Sequence, residues 1–144
     1  MTEFDIQKEL IDTFKTLNSF SNIEYLETDT FGNYTNVHFP NETFAVPDDK
    51  RWFDVTFRNN ESTDSSLGGE QYRFTGVLYI DIYTPQDSGE AEAKAKYEWI
   101  AKLFHSVNLD YIDIMKVYIS TKGNDADYYR LQVAVEWEAD IDKE

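Results

Sequence analysis

The chain has 144 residues, of which 41% are hydrophobic and 16% aromatic, enough to bury a core and too apolar for a disordered acidic segment. Thirteen basic residues against 28 acidic ones leave a net charge of −15, which disfavours binding to nucleic-acid phosphates or anionic membranes. The absence of Cys excludes disulfides and thiolate metal sites. The charge can serve solubility, line a passage through which DNA slides without sticking, or imitate DNA. The opening Met1-Thr2-Glu3-Phe4-Asp5 is acidic where a signal peptide is basic, and no apolar run is long enough to span a membrane, so synthesis in a reducing cytoplasm is expected. Asn33-Tyr34-Thr35, Asn41-Glu42-Thr43 and Asn60-Glu61-Ser62 match the glycosylation pattern, but without a secretion signal they carry no meaning.

Taken in chain order, Thr2 with Asp5 suits a helix N-terminus. Ile6, Leu10, Phe14 and Leu17 then share one helical face, so a first helix is predicted to about Phe20. Ile23, Tyr25 and Leu26 suggest a short strand. Thr35 to Phe39 reads as a strand stopped by Pro40, and residues 41–50 as a loop. From Arg51 the pattern alternates, with Phe53, Val55 and Phe57 on one side and Trp52, Asp54, Thr56 and Arg58 on the other. Residues 59–71 hold one large apolar residue, Leu67, and are predicted to be mobile in the isolated protein.

Tyr72 to Thr84 is a long strand with Tyr72, Phe74, Leu78, Ile80 and Ile82 on one face. Gly76 interrupts that face, as at a bulge or a close approach by another element. Pro85 to Gly89 is a turn, with Asp87 or Ser88 as helix cap and Glu90 and Glu92 at the positive end. Ala93, Tyr97, Ile100, Phe104 and Val107 form the stripe of a second helix, leaving Lys94, Lys96 and Lys102 outside. Tyr111 to Ser120 is a strand, Lys122 to Asp125 a turn. In the last strand Tyr129, Leu131, Val133, Val135 and Trp137 alternate with Tyr128, Arg130, Gln132 and Glu136. The prediction is one domain over residues 1–144, an α+β fold with a mostly antiparallel sheet of four to five strands and two helices packed on one face.

Catalytic patterns are scarce. His38 and His105 are far apart and fit structural roles, and no His-Glu-x-x-His motif exists. Gly68-Gly69 lacks the Lys-Ser/Thr of a phosphate loop, and no nucleophile elbow occurs. Asp125, Asp127 and Glu136 match three positions of a calcium loop, but Arg130 stands where Gly is needed. Asp81 is the most central carboxylate, flanked in the alternation by Tyr79 and Tyr83 on the strand face away from the core. That face, with Val77, Tyr79, Tyr83 and Trp52, is an exposed aromatic surface if the helices cover only the other side.

Phe39-Pro40-Asn41, then Phe44 and Trp52, resemble the aromatic-Pro-Asn opening of phage tail-terminator-like proteins. Gly68-Gly69, Arg73-Phe74-Thr75-Gly76, the Pro85–Gly89 turn into a helix over Ala91–Phe104, and Tyr128-Tyr129-Arg130 with Val133 and Val135 continue the resemblance. It covers about Thr35 to Trp137; the Ser-rich loop at 59–71 and the segment Asp110–Lys116 depart from the pattern. The resemblance implies a structural virion protein without catalytic residues, cofactor or metal. It implies a ring, usually of six copies, on the head-proximal end of the tail tube. The ring stops tube polymerisation and contacts the head-tail connector; it belongs to the tail or neck of the virion, assembled in the host cytoplasm. Trp52, Tyr79, Tyr83 and Arg73 are the residues expected at the ring or partner interface. Glu61, Asp64, Leu67 and Glu70 are expected on a mobile, lumen-facing loop past which DNA slides without sequence-specific binding. Competing readings are another neck or head-tail joining protein, an acidic DNA mimic, and a hydrolase, which lacks a credible site.

Overall fold

The computed structural model describes residues 3–59, 63–64, 71–86 and 89–142. In chain order the elements are α1 (Glu3–Phe14), α2 (Leu17–Ser21), β1 (Val37–His38), β2 (Trp52–Asn59), β3 (Thr63–Asp64), β4 (Gln71–Pro85), α3 (Gly89–Ser106), β5 (Ile112–Asp125) and β6 (Tyr128–Asp142). The strands form one mixed, mostly antiparallel sheet in the order β1-β2-β4-β6-β5; β3 pairs with β4 just beyond the end of β2. Only the β1–β2 pair is parallel. The predicted α+β class holds.

The central pair sets the faces. β4 and β6 are in register from Gln71↔Asp142 to Pro85↔Tyr128 without a break. Side chains alternate across a strand, so Leu78, Ile80 and Ile82 lie beside Val135, Val133 and Leu131, with Phe53 and Val55 of β2 on the same side. All of these are buried. Against this face pack Ile6, Leu10 and Phe14 of α1 and Ala93, Ile100, Leu103 and Phe104 of α3, forming one continuous core. Phe14 meets Phe53 edge to face, with centroids 5.6 Å apart.

Gly76 is not a bulge. It pairs with Trp137 in the ladder, and a Cβ at Gly76 would lie 2.5 Å from the indole and 2.9 Å from the Arg58 carbonyl oxygen. The Trp137 ring, 1% exposed, fills the space the missing side chain leaves.

The first predicted helix is two helices. After Phe14 the chain tightens: the Thr16 N–H donates to the Thr13 carbonyl, and the Thr16 hydroxyl donates to that same oxygen at 2.6 Å. Hydroxyl competition of this kind weakens a helix interior. α2 then ends at Asn22, which adopts a left-handed conformation (φ 57°). The predicted cap at Thr2 lies outside the described residues.

No strand forms at Ile23–Leu26. Two asparagine amides take the place of a ladder partner there. Asn18 accepts from the Leu26 N–H and donates to the Leu26 carbonyl. The buried Asn36 accepts from the Glu27 N–H and donates to the Tyr25 carbonyl. The strand predicted at Thr35–Phe39 is reduced to Val37–His38.

Further corrections concern α3 and the last hairpin. Lys96 is not outside: it is buried, 3.6 Å from Glu92 and 5.4 Å from the Phe53 ring centroid. Its stem crosses apolar surface while its ammonium reaches the Glu92 carboxylate. The predicted turn at Lys122–Asp125 is ladder instead, because Asp125 pairs with Tyr128. The reversal falls on Ala126-Asp127, with Ala126 at φ 54°. The predicted caps Asp87 and Ser88 lie outside the described residues, while Glu90 and Glu92 do occupy the first turn of α3. Strand β5 is the long outer edge, and its register with β6 shifts between Ile114 and Lys116 and again between Ile119 and Thr121.

Replacing Gly76 by Ala should cost about 1–3 kcal/mol in urea denaturation, the usual penalty of overpacking. Combining it with Trp137→Leu should cost less than the sum of the two single changes. Burial lowers the Lys96 pKa, and Glu92 opposes this only in part. The unfolded chain then binds the extra proton between the lowered value and about 10.4, so stability from this group rises with pH across that window and its penalty is fully present at pH 7. Glu92 keeps Arg51 as a partner when Lys96 is replaced, so the stability of Lys96→Met relative to the natural chain should be most favourable at neutral pH and fall as pH rises through the alkaline range, read by urea denaturation at a series of pH values.

Candidate assembly surface

Both long helices lie on one side of the sheet, so the other side has no covering layer among the described residues. The same register that makes the core places Trp52, Asp54, Thr56 and Arg58 of β2 beside Tyr83, Asp81, Tyr79 and Val77 of β4. Arg130, Gln132, Ala134, Glu136 and Glu138 of β6 continue that face.

At one end of the face, rings form a connected row. His38 stacks on Phe44 at 5.3 Å, Phe44 meets Trp52 at 5.2 Å, and Trp52 stacks on Tyr83 at 4.1 Å with only 5° between planes. Tyr128 stands nearly perpendicular to both Trp52 and Tyr83.

Beside the rings runs a row of charge. Asp54 and Asp81 are direct cross-strand neighbours, an arrangement that repels when both are ionised. Two partners hold the ends: His38 Nδ1 is 3.3 Å from Asp54 Oδ1, and Arg130 donates to Asp81 at 3.2 Å. Burial pushes the Asp54 carboxyl above its ordinary range; His38 and Arg130 pull it down, Asp81 pushes it further up. The Tyr83 phenol is likewise raised by burial and by Asp81. Further along, Arg73 Nε lies 2.7 Å from Glu138 Oε1. Lys116 sits over the Tyr118 ring at 4.6 Å, and Tyr118 hydrogen-bonds to Glu136. Three buried atoms here, Trp52 Nε1, Asp81 Oδ1 and Arg130 Nε, have no hydrogen-bond partner among the described residues.

The register puts Trp52, Tyr79 and Tyr83 on one face, as their alternation predicted, and Arg73 lies on that face with them. Trp52 and Tyr83 touch; Tyr79 and Arg73 lie progressively further along β4. Phe44, Tyr128 and His38 complete the ring row without having been singled out as its members. Tyr128 could have been found from its position in the β6 alternation; Phe44 sits in a loop with no period to read. Asp64 lies in β3, paired with Tyr72. Glu61, Leu67 and Glu70 lie outside the described residues, as does most of the predicted mobile loop. Asp125 and Asp127 bracket the Ala126 turn, and His105 is exposed at the end of α3. His38 has both ring nitrogens engaged, one by Asp54 and the other at 2.9 Å from the Glu42 carbonyl oxygen, which fits an anchoring role.

Among the described residues, a sheet covered on one side leaves its polar, aromatic second face free for contact. A family model described as phage tail terminator protein matches residues 22–137, and the chain belongs to that family. It is a structural protein of a bacteriophage tail. No curated protein matches. Among solved structures, one is 15% identical and aligns over 100% of this chain and 99% of its own, with a TM-score of 0.64; at that identity the likeness shows the fold alone. No helix among the described residues is long and apolar enough to cross a membrane.

Because the folded protein holds Asp54 more protonated than the unfolded chain does, its contribution to stability is present below about pH 3.9 and is lost as pH rises through the raised folded value. Asp54→Asn should therefore raise the melting temperature at pH 7, and the difference from the natural chain should diminish in acid. Thermal scans at a series of pH values check both the sign and the window.

Proposed function

We propose that the protein forms a ring, of six copies as is usual in its family, on the head-proximal end of the tail tube. There it stops tube polymerisation and offers a surface to the head-tail connector. As a single domain without a catalytic centre or cofactor, it acts by shape and contact alone. The observation that carries this reading is the uncovered sheet face. In a chain of net charge −15, this face interleaves Arg58, Arg73, Lys116 and Arg130 with Asp54, Asp81, Asp113, Asp125, Glu136, Glu138 and Asp140. An aromatic surface on which four cations stand among the acids can form complementary contacts with another protein. A closed ring needs two different patches per subunit; the sheet face is one, and the outer surface of the helices can supply the second. Trp52, Tyr79, Tyr83 and Arg73 are the proposed contact residues. The segment 59–71, with Glu61, Asp64, Leu67 and Glu70, is proposed to face the lumen, where carboxylates repel DNA and let it pass.

Removing the gene from its phage separates this role from a head-tail joining role. Loss of a terminator yields tails of uncontrolled length. Tails of normal length that fail to join heads would instead assign the protein to the neck. Light scattering of the purified protein should show a rise toward the mass of six protomers with concentration, and Tyr83→Arg should suppress it.

A further inference from the structure

The loop before β1 holds an aromatic side chain in a position no core requirement explains. Thr28 and Tyr34 bridge as neighbouring strands do, and the five residues between them close a tight turn. The Asp29 N–H donates to the Asn33 carbonyl at 2.8 Å, and the Gly32 N–H to the Asp29 carbonyl at 3.1 Å. The Asp29 carboxylate accepts from the Phe31 and Asn33 N–H groups at 2.8 and 3.0 Å. Gly32 takes φ +84°, a conformation that favours glycine. At the tip of this built loop stands Phe31, 88% exposed. A slack loop would fold that ring back onto the nearby Tyr34–Phe39 pair; this one fixes the backbone that carries it outward.

Beside the turn, at Gly32 and Asn33, lies an open surface groove of about 730 Å³, lined also by Lys15, Tyr34, Phe39 and Glu42. Its wall is the Tyr34–Phe39 edge-to-face pair, with the Lys15 ammonium 5.5 and 5.0 Å from the two ring centroids. A protruding ring beside a hollow of this size matches the anatomy of an interface anchor: a rigid aromatic seated in a partner, with room for a partner side chain next to it. Exposed Glu27, Asp29 and Glu42 surround it, against the single Lys15.

We propose that Phe31 is a preformed anchor that seats in an apolar socket rimmed by Lys or Arg on a different protein of the virion. Charge complementarity selects that occupant. Most of the surface of a second copy, in a chain carrying −15, is acidic and disfavours an acid-rimmed knob outside the sheet face, whereas a basic rim on a different protein is attracted and steers the encounter. The identity of the neighbour as a tube or head component rests on the terminator reading.

The test compares the natural protein with Phe31→Ser, a change at an exposed position that leaves the core untouched. Two probes are used: tail tubes purified from a phage lacking this protein, and heads purified from a phage lacking tails. Binding is measured by co-sedimentation at low and high salt, and protomer association by light scattering. The expected result is a loss of ten-fold or more toward one of the two probes, natural binding that weakens as salt rises, and unchanged self-association. Equal binding of both proteins to both probes would overturn the anchor while leaving the terminator reading in place. A loss of self-association in Phe31→Ser would overturn it too, because the ring would then seat in a second copy. If the natural protein binds neither tubes nor heads, the terminator reading itself fails, and the anchor with it.

Discussion

The unbroken antiparallel register between β4 and β6 is the constraint on which the rest depends. Side chains in a strand alternate with a period of two, so a slip by one residue would turn every side chain to the opposite face. If β6 slipped against β4 in this way, Val135 would meet solvent and Glu136 would meet the helices. The Gly76–Trp137 pair helps to forbid that slip: the indole has room only where the facing residue lacks a side chain. Once this register is fixed, β2 and β5 add to its two sides, and α1 and α3 have only one apolar surface on which to pack.

The amino-acid pattern exposed this part of the fold because it is repetitive. Alternation in 72–84 and 129–137 and the four-residue spacing in the helices are properties of many residues at once, so one odd residue does not hide them. Single side chains doing unusual work were harder to read. Asn18 and Asn36 look like ordinary polar residues in a loop, yet their amides satisfy the backbone of 25–27 and remove the need for a strand. Thr16 looks helical and instead divides α1 from α2. Residue type sets Lys96 outside, although its spacing from Ala93 and Ile100 places it on the apolar stripe, and Phe53 and Glu92 show how it is accommodated there. Gly123 reads as turn punctuation, but pairing of Asp125 with Tyr128 moves the reversal to Ala126.

The same division applies to the assembly surface. Trp52, Tyr79 and Tyr83 were recognisable because strand alternation alone places them away from the core, and Arg73 because it belongs to the Arg-x-x-Gly motif. The partners that shape the surface come from elsewhere in the chain: Phe44 from a loop, His38 from a two-residue strand, Arg130 from forty-nine positions beyond Asp81. Their convergence is a product of sheet order, which neither periodicity nor composition encodes. Burial is uneven across this face. Asp81, Val77 and Ala134 are covered by their own neighbours, so the surface is firm at its centre and polar at its margin, as protein–protein contacts usually are.

Strand β5 closes the outer edge of the sheet, and its interruptions around Met115 and Ser120 carry a consequence for how copies can join. A long, straight edge invites another strand to add, and then another, which is the route to fibres. Here each interruption bends the strand and shifts its pattern of outward N–H and C=O groups. An incoming strand could match only the short stretch between them before falling out of step. Edge-on stacking is thereby starved of continuity, and association is left to the faces, where geometry can set a finite number of copies.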